Sequence, residues 1–262
     1  MQNKWHANMK SFINLDSKKI AIISSFSVIY AVFRIIPSFP VVGVPGASFS
    51  LGDVLVPIYG IFLGPTVGFA SIMLGTFLGF VFGKPPIFLG WDFLPAASAT
   101  LFIGLMMRNK RMISAILFLI ALTVFLLLPY TEIFISLNEQ VKIPFNWMHI
   151  IALLLIISPI GRSAVKSILN FNTSFAIERR ELTGFFIIAI SSTLFQHIIG
   201  GIMFQTTFGI YLGAIEKEAF PGIWQVIFYV YPIERIAIAI LATIVGVPVI
   251  KSLKRSGLEQ RF

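Results

Sequence analysis

The chain has 262 residues, 57% of them hydrophobic and only 12% charged, with 27 phenylalanines and a mean hydropathy of +0.91. A soluble domain carries about 25% charged residues; this chain lacks the polar groups that a water-facing surface requires, and its apolarity equally excludes disorder. No cysteine is present, which rules out a disulfide frame, a thiolate nucleophile and a cysteine-ligated metal.

These numbers predict an all-α integral membrane protein of about eight transmembrane helices. Residues 1–18 form a basic amino-terminal segment in which Trp5, Met9, Phe12 and Ile13 fall at helical spacing among lysines. That pattern suits either a helix lying on the membrane surface or a basic tail, and it has no signal-peptide apolar region. Residues 19–251 read as a single transmembrane domain, followed by a basic tail over 252–262. A span needs roughly 20 apolar residues, and the candidates in chain order are Ile20–Ile36, Leu51–Leu63, Pro65–Phe82, Trp91–Met107, Met112–Leu128, Trp147–Ile160, Leu182–Met203 and Ile223–Ile250. Leu51–Leu63 is short and ends at Gly64-Pro65; the last span carries Pro232, where a kink is expected. The connection 161–181 has room for one short amphipathic helix.

Counting Leu51–Leu63 as a span of its own places fifteen of the 20 Lys and Arg residues on the side of both termini and three on the other. Short cytoplasmic loops collect such residues, so both ends are expected in the cytoplasm and the protein in the cell membrane. The charge of +9 is thus a sidedness signal, and nucleic acid is not an expected partner. Glycines recur every four residues at Gly60, Gly64 and Gly68, and again at Gly75, Gly79 and Gly83, a spacing that lets membrane helices approach closely.

Ionisable groups inside a membrane are costly and therefore candidates for function. In the eight-span arrangement Arg34, Asp53, Trp91, Asp92, Gln196, His197, Trp224, Tyr231 and Glu234 all fall in the outer half, whereas the inner halves are nearly free of charge. A molecule captured from outside needs polar anchors near the mouth and aromatic walls to bury it. Arg34 suits a carboxylate or phosphate; Asp53, Asp92 and Glu234 suit amine or hydroxyl donors. Each also has a structural reading: Asp53 and Asp92 stand at helix starts, where an acid favours the helix dipole, and Arg34 can reach the interface. Glu234 and Arg235 can form internal ion pairs, His197 can be a satisfied bundle residue, and the aromatics can form an interfacial belt. The chain has no G-x-x-x-x-G-K-[ST] loop, H-E-x-x-H helix or G-x-S-x-G elbow. Its histidines (His6, His149 and His197) are too scattered to suggest zinc. No catalytic residue, metal or cofactor is expected.

The run Lys19–Gly83, with its loop PSFPVVGVPGASFSLGD, short helix and glycine-rich helix, and the closing YPIERIAIAILATIVGVPVIKSLKR resemble the substrate-binding (S) component of energy-coupling-factor vitamin transporters. The resemblance implies a subunit that binds a vitamin or similar micronutrient in an outer pocket closed by the loop after helix 1. Its implied partners are a transmembrane scaffold and two ATPase subunits. Small residues on helix 1 would dock the scaffold, matched here by Ala21 with Ser25 or Ser27 with Ala31. Such components have six helices, so the hairpin 112–160 is surplus. The expectation is a substrate-capture subunit of an ATP-driven importer, in contact with membrane lipid. A self-contained secondary transporter of a small solute and an intramembrane lipid-modifying enzyme are the alternatives.

Overall fold

A computed structural model describes residues 17–172, 174 and 176–256; the amino-terminal segment through residue 16 and the tail from residue 257 lie outside the described residues. Of the described residues, 74% are helical. Helix α1 (Ser17–Ile35) leads through a short hairpin of β1 (Pro37–Pro40) and β2 (Ser48–Ser50) into a 3-10 turn, Leu51–Val54, and α2 (Leu55–Phe62). There follow α3 (Gly64–Val81), α4 (Phe93–Met107) and α5 (Arg111–Leu127). A second hairpin, β3 (Phe134–Ser136) with β4 (Lys142–Pro144), precedes α6 (Trp147–Ile157), α7 (Pro159–Leu169) and α8 (Arg179–Phe204). After a π-helical stretch, Gln205–Tyr211, and a 3-10 turn, Lys217–Ala219, the chain closes with α9 (Phe220–Arg255).

Among the described residues three helical stretches are long and apolar enough to cross a membrane: Gly64–Val81, Arg179–Tyr211 and Lys217–Arg255. A fourth arises if α6 and α7, bent by 68° at Ser158, count as one. Apolar side chains also cover the outside, with Val28 and Val32 exposed on α1, Ile116 and Ile120 on α5, and Ile233 and Ile244 on α9. Water would not tolerate so much contiguous apolar surface; lipid is the solvent it fits.

Two boundaries differ from expectation for identifiable reasons. The span expected over Trp147–Ile160 stops at Ile157, because Ser158 is extended, accepts from the Ile160 and Gly161 N–H groups, and starts α7 with Pro159 in its first turn. Arg111 from α5 steadies the bend by donating to the Ile156 and Ser158 carbonyls, each at 2.7 Å. The result is the short helix anticipated in 161–181, begun two residues earlier. The last helix is longer at both ends than Ile223–Ile250, and it stays helical through Pro232 and Pro248.

Helix α2 is the centre of the assembly, with all eight of its residues buried. Such a helix has no lipid-facing stripe, so its neighbours must come close on every side. Glycine makes this possible. Gly64 turns the chain from α2 into α3 with φ of +75°, a conformation that a Cβ would penalise. Gly60 and Gly68 face Ile103 and Thr100 of α4, while Gly75 and Gly79 face Tyr30 and Arg34 of α1; the glycine ladders are packing surfaces. On α1, Ser27 and Ala31 are buried against this α3 face, which removes them as a docking surface. Ala21 and Ser25 are exposed.

At the end away from the two hairpins, Lys251 of α9 reaches Glu181 of α8. Its ammonium donates to both carboxylate oxygens, at 2.9 and 2.7 Å, and to the Ala176 carbonyl at 2.6 Å. Glu181 also accepts from the Glu178 and Asn172 N–H groups.

Lys251→Met strands a buried carboxylate and should cost about 3–5 kcal/mol at pH 7, while Glu181→Gln combined with Lys251→Met should recover much of the loss, as read by thermal melts in detergent. In the same assay Gly104→Ala, whose Cβ would collide with the backbone of Gly64 and Pro65, should lower stability by about 1–3 kcal/mol. Gly222→Ala, with nothing within 4 Å of the added carbon, should not.

Candidate functional site

A cavity of about 100 Å³ opens at the end of the bundle that carries the two hairpins. By volume it has room for at least about three waters, at the roughly 30 Å³ each takes in the liquid, or one small organic molecule. Arg34 enters it from the last turn of α1, and Asp53 from the 3-10 turn before α2. Lys84 comes from the α3–α4 loop, Gln196 and His197 from α8, and Glu234 and Arg235 from α9. Val41, Ser48 and Phe49 of the first hairpin close one side, and Gly43 packs that hairpin onto Phe204 and Ile223. Trp224 and Tyr231 supply aromatic wall. Both are anchored through their polar ends, Trp224 Nε1 donating to the Tyr130 carbonyl at 2.6 Å and Tyr231 Oη to the Phe145 carbonyl at 3.0 Å.

The cavity carries three cationic side chains (Arg34, Lys84, Arg235) and three acids (Asp53, Asp92, Glu234), but they satisfy one another poorly. The Arg34–Asp92 and Arg235–Glu234 contacts are each 3.4 Å, longer than the roughly 2.7–2.9 Å of a well-formed charged hydrogen bond. Glu234 and Arg235 are also adjacent on one helix, where side chains diverge. Each guanidinium lies instead over a ring, Arg34 at 5.5 Å from the centre of Phe80 and Arg235 at 5.3 Å from that of Phe49. Asp53 accepts one hydrogen bond, from Gln196 Nε2 at 2.7 Å. Four polar atoms of lining residues are buried with no partner among the described residues: Arg34 Nε, Arg235 Nε, Asp53 Oδ2 and Gln196 Oε1. Leaving a buried polar group unpaired costs about 1–3 kcal/mol, and more for a charged one. A fold tolerates several together where something else meets them.

Asp92 is the exception. Its two oxygens accept from the Ile87 and Phe88 N–H groups at 2.8 and 3.0 Å; its structural role is to tie the α3–α4 loop to the start of α4. Lys84 is held in the same loop, with Nζ 3.4 Å from the Phe49 carbonyl. Burial, followed by the positive charge of Arg34, pushes its ammonium down to about 8.

Of the residues picked from the sequence, Arg34, Asp53, Asp92, Gln196, His197, Trp224, Tyr231 and Glu234 line this one cavity. Trp91 does not: it is 56% exposed and packs beside Phe93 on the outer surface. The prediction missed Lys84, Tyr30 and Phe49, and did not place Arg235 among the binding residues. It also missed His149, which stands behind the wall with Nε2 3.0 Å from His197 Nδ1. The missed signal was depth: His149 is the third residue of α6, and His197 lies at a matching depth near the same end of α8. The hairpin 112–160 is therefore not peripheral. It supplies His149, Phe145 and the Tyr130 carbonyl to the site's support. No group of three or more His, Asp or Glu side chains arranged to hold a metal occurs among the described residues.

No protein-family model, curated protein or solved structure matches the chain, and no enzyme family is indicated.

The Lys84 ammonium should titrate near 8 when followed by NMR of isotopically methylated lysines. Removing its positive neighbour by Arg34→Gln should move that titration upward, and an unmoved midpoint would show that Arg34 does not act on it. An anion held in the cavity should bind less tightly as the pH rises through 8, where the Lys84 charge is lost.

Proposed function

We propose that this chain is the membrane-embedded capture subunit of an ATP-driven importer, holding a small polar molecule in the cavity that the first hairpin closes on one side. The observation that carries this reading is the contrast between the two ends of the bundle. At one end Glu181 and Lys251 satisfy each other fully; at the other, Arg34, Asp53, Gln196 and Arg235 converge from four elements with unused bonding capacity. A charge network serving stability alone would resemble the first end. In this reading the chain spans the membrane eight times with both termini in the cytoplasm, which puts the cavity on the outer side. The distribution of Lys and Arg supports that orientation, and the absence of a nucleotide-binding loop in the sequence supports dependence on partners for energy.

The resemblance to energy-coupling-factor S components supplies the rest of the proposal. A vitamin-like micronutrient is the cargo, and a transmembrane scaffold with two ATPases is the partner. The exposed Ala21 and Ser25 face of α1 is the remaining docking surface of the two considered. The β1–β2 hairpin, which lines the cavity, occupies the place of the closing loop.

The test begins with mass spectrometry of what copurifies with the tagged chain from its native membranes in mild detergent. Two ATPase chains and a membrane scaffold are expected; recovery of the chain alone, where a known importer of this kind stays assembled, would favour a self-powered carrier. Because the chain has no cysteine, single substitutions report sidedness. Lys142→Cys should be labelled from outside and Lys166→Cys only after permeabilisation. Small molecules released from the purified chain should fall at least tenfold in Arg34→Ala and in Asp53→Asn, and retention in both variants would sink the pocket assignment.

A further inference from the structure

The contact between His149 and His197 constrains where the protons sit. The two ring centres are 5.2 Å apart and the planes differ by 21°, while Nε2 of His149 and Nδ1 of His197 are 3.0 Å apart. The centre separation is close to the contact distance plus two ring radii. The rings therefore meet edge to edge, each nitrogen pointing along the other's lone-pair direction, as a hydrogen bond requires. Tyr231 lies against both rings, at 4.8 Å from His197 and 5.3 Å from His149, and Phe145 holds the Tyr231 hydroxyl. The pair cannot easily rotate out of this geometry.

One nitrogen must donate and the other accept. If His197 donated from Nδ1, His149 would accept at Nε2 and have to carry its own proton on Nδ1. That Nδ1 is buried and has no partner among the described residues, and a buried N–H without an acceptor is the rarer and costlier kind of orphan. A doubly protonated His149 would strand the same N–H. One arrangement avoids it: His149 donates from Nε2, leaves a bare lone pair at Nδ1, and His197 accepts at Nδ1. His197 must then carry its proton on Nε2. That nitrogen has no partner among the described residues, is not among the atoms sealed from solvent, and belongs to a residue lining the cavity.

We infer that His149 is a positioning residue that fixes His197 as a hydrogen-bond donor to whatever occupies the cavity, so the occupant presents an acceptor there. The inference rests on the reading of the cavity as a binding site and narrows it. His197 Nε2–H is the donor that the cavity presents; Arg34, Asp53, Gln196 and Arg235 line the same cavity, with their unpaired atoms sealed behind its surface. The chemistry that meets this donor between aromatic walls is a small, flat molecule with an anionic or carbonyl acceptor.

The test uses the full chain, ¹⁵N-labelled at histidine, in lipid vesicles at neutral pH, with His6→Gln removing the third histidine signal. Solid-state NMR should show His197 protonated on Nε2 and bare on Nδ1. His149 should show the same tautomer with a coupling across the shared bond, and water contact should appear at the His197 ε2 proton alone. Benzoate, a flat anionic acceptor, should shift His197 Nε2 and leave His149 Nδ1 unmoved. His149→Phe should let the His197 tautomer mix and weaken benzoate roughly fivefold, the worth of one neutral hydrogen bond. His149→Gln, which keeps a donor for Nδ1, should restore both the tautomer and the affinity. A proton on His197 Nδ1 while benzoate still binds would overturn the positioning role and leave the cavity reading standing. The expected tautomer with neither water nor benzoate reaching Nε2 would remove the cavity reading and the proposal with it.

Discussion

Moving an ion from water into an apolar interior costs several kcal/mol even after relaxation, and among the described residues seven charged side chains are buried, at two places. The rest of the structure follows from how each place meets that cost. At Glu181 and Lys251 the answer is complete: two short contacts, two amides and a carbonyl surround the pair. Around the cavity it is partial, with 3.4 Å pairs, guanidinium groups lying over rings, and orphaned atoms on four residues. Three positive and three negative groups balance overall, so the cavity carries no large net charge when all are ionised. That balance makes the arrangement tolerable without making it satisfied.

The partial answer needs its members drawn from distant parts of the chain, and glycine makes that geometry accessible. Asp53 reaches the middle of the bundle because the turn that carries it opens directly into α2, a helix enclosed on all sides. Enclosure requires α4 to ride on the α2–α3 turn at Gly104 and α1 to lie against Gly75. Packing and site are thus one construction: widening any of these contacts would move Asp53 away from Gln196 on α8, its sole hydrogen-bonding partner among the described residues.

Much of this was legible in the sequence because the membrane imposes simple rules. Apolar length located the helices, and the short helix beginning at Leu51 was separable at Gly64. Polar residues that have no business in lipid pointed to one cavity, and eight of nine lie on it. What stayed hidden depends on direction, not type. Trp91 precedes a residue that does face the site, and both stand in the turn before α4, where no helical or strand period sets which way a side chain points. Ser27 and Ala31 look like a docking stripe until α3 covers them. His149 stands 48 positions before His197, and no spacing rule joins them; only the packing of α6 on α8 does. Asp92 was visible as both helix-start and site residue, and the loop amides decided in favour of the former.

Helix α9 has a mechanical consequence. Its 36 residues make a rod of roughly 54 Å, well beyond the roughly 30 Å of hydrocarbon, so the rod tilts or projects from the bilayer. Arg235 and Lys251 ride on it sixteen residues, or roughly 24 Å, apart. Pro232, whose ring nitrogen cannot complete the backbone ladder, sits three residues beyond Arg235, on the far side from Lys251. The part of the rod between Arg235 and Lys251 contains one further proline, Pro248, close to its end, and is otherwise an uninterrupted strut. A push against its carboxyl-terminal end would cross Pro248 first, then travel along the strut to the cavity wall and meet a second compliant joint just past the guanidinium.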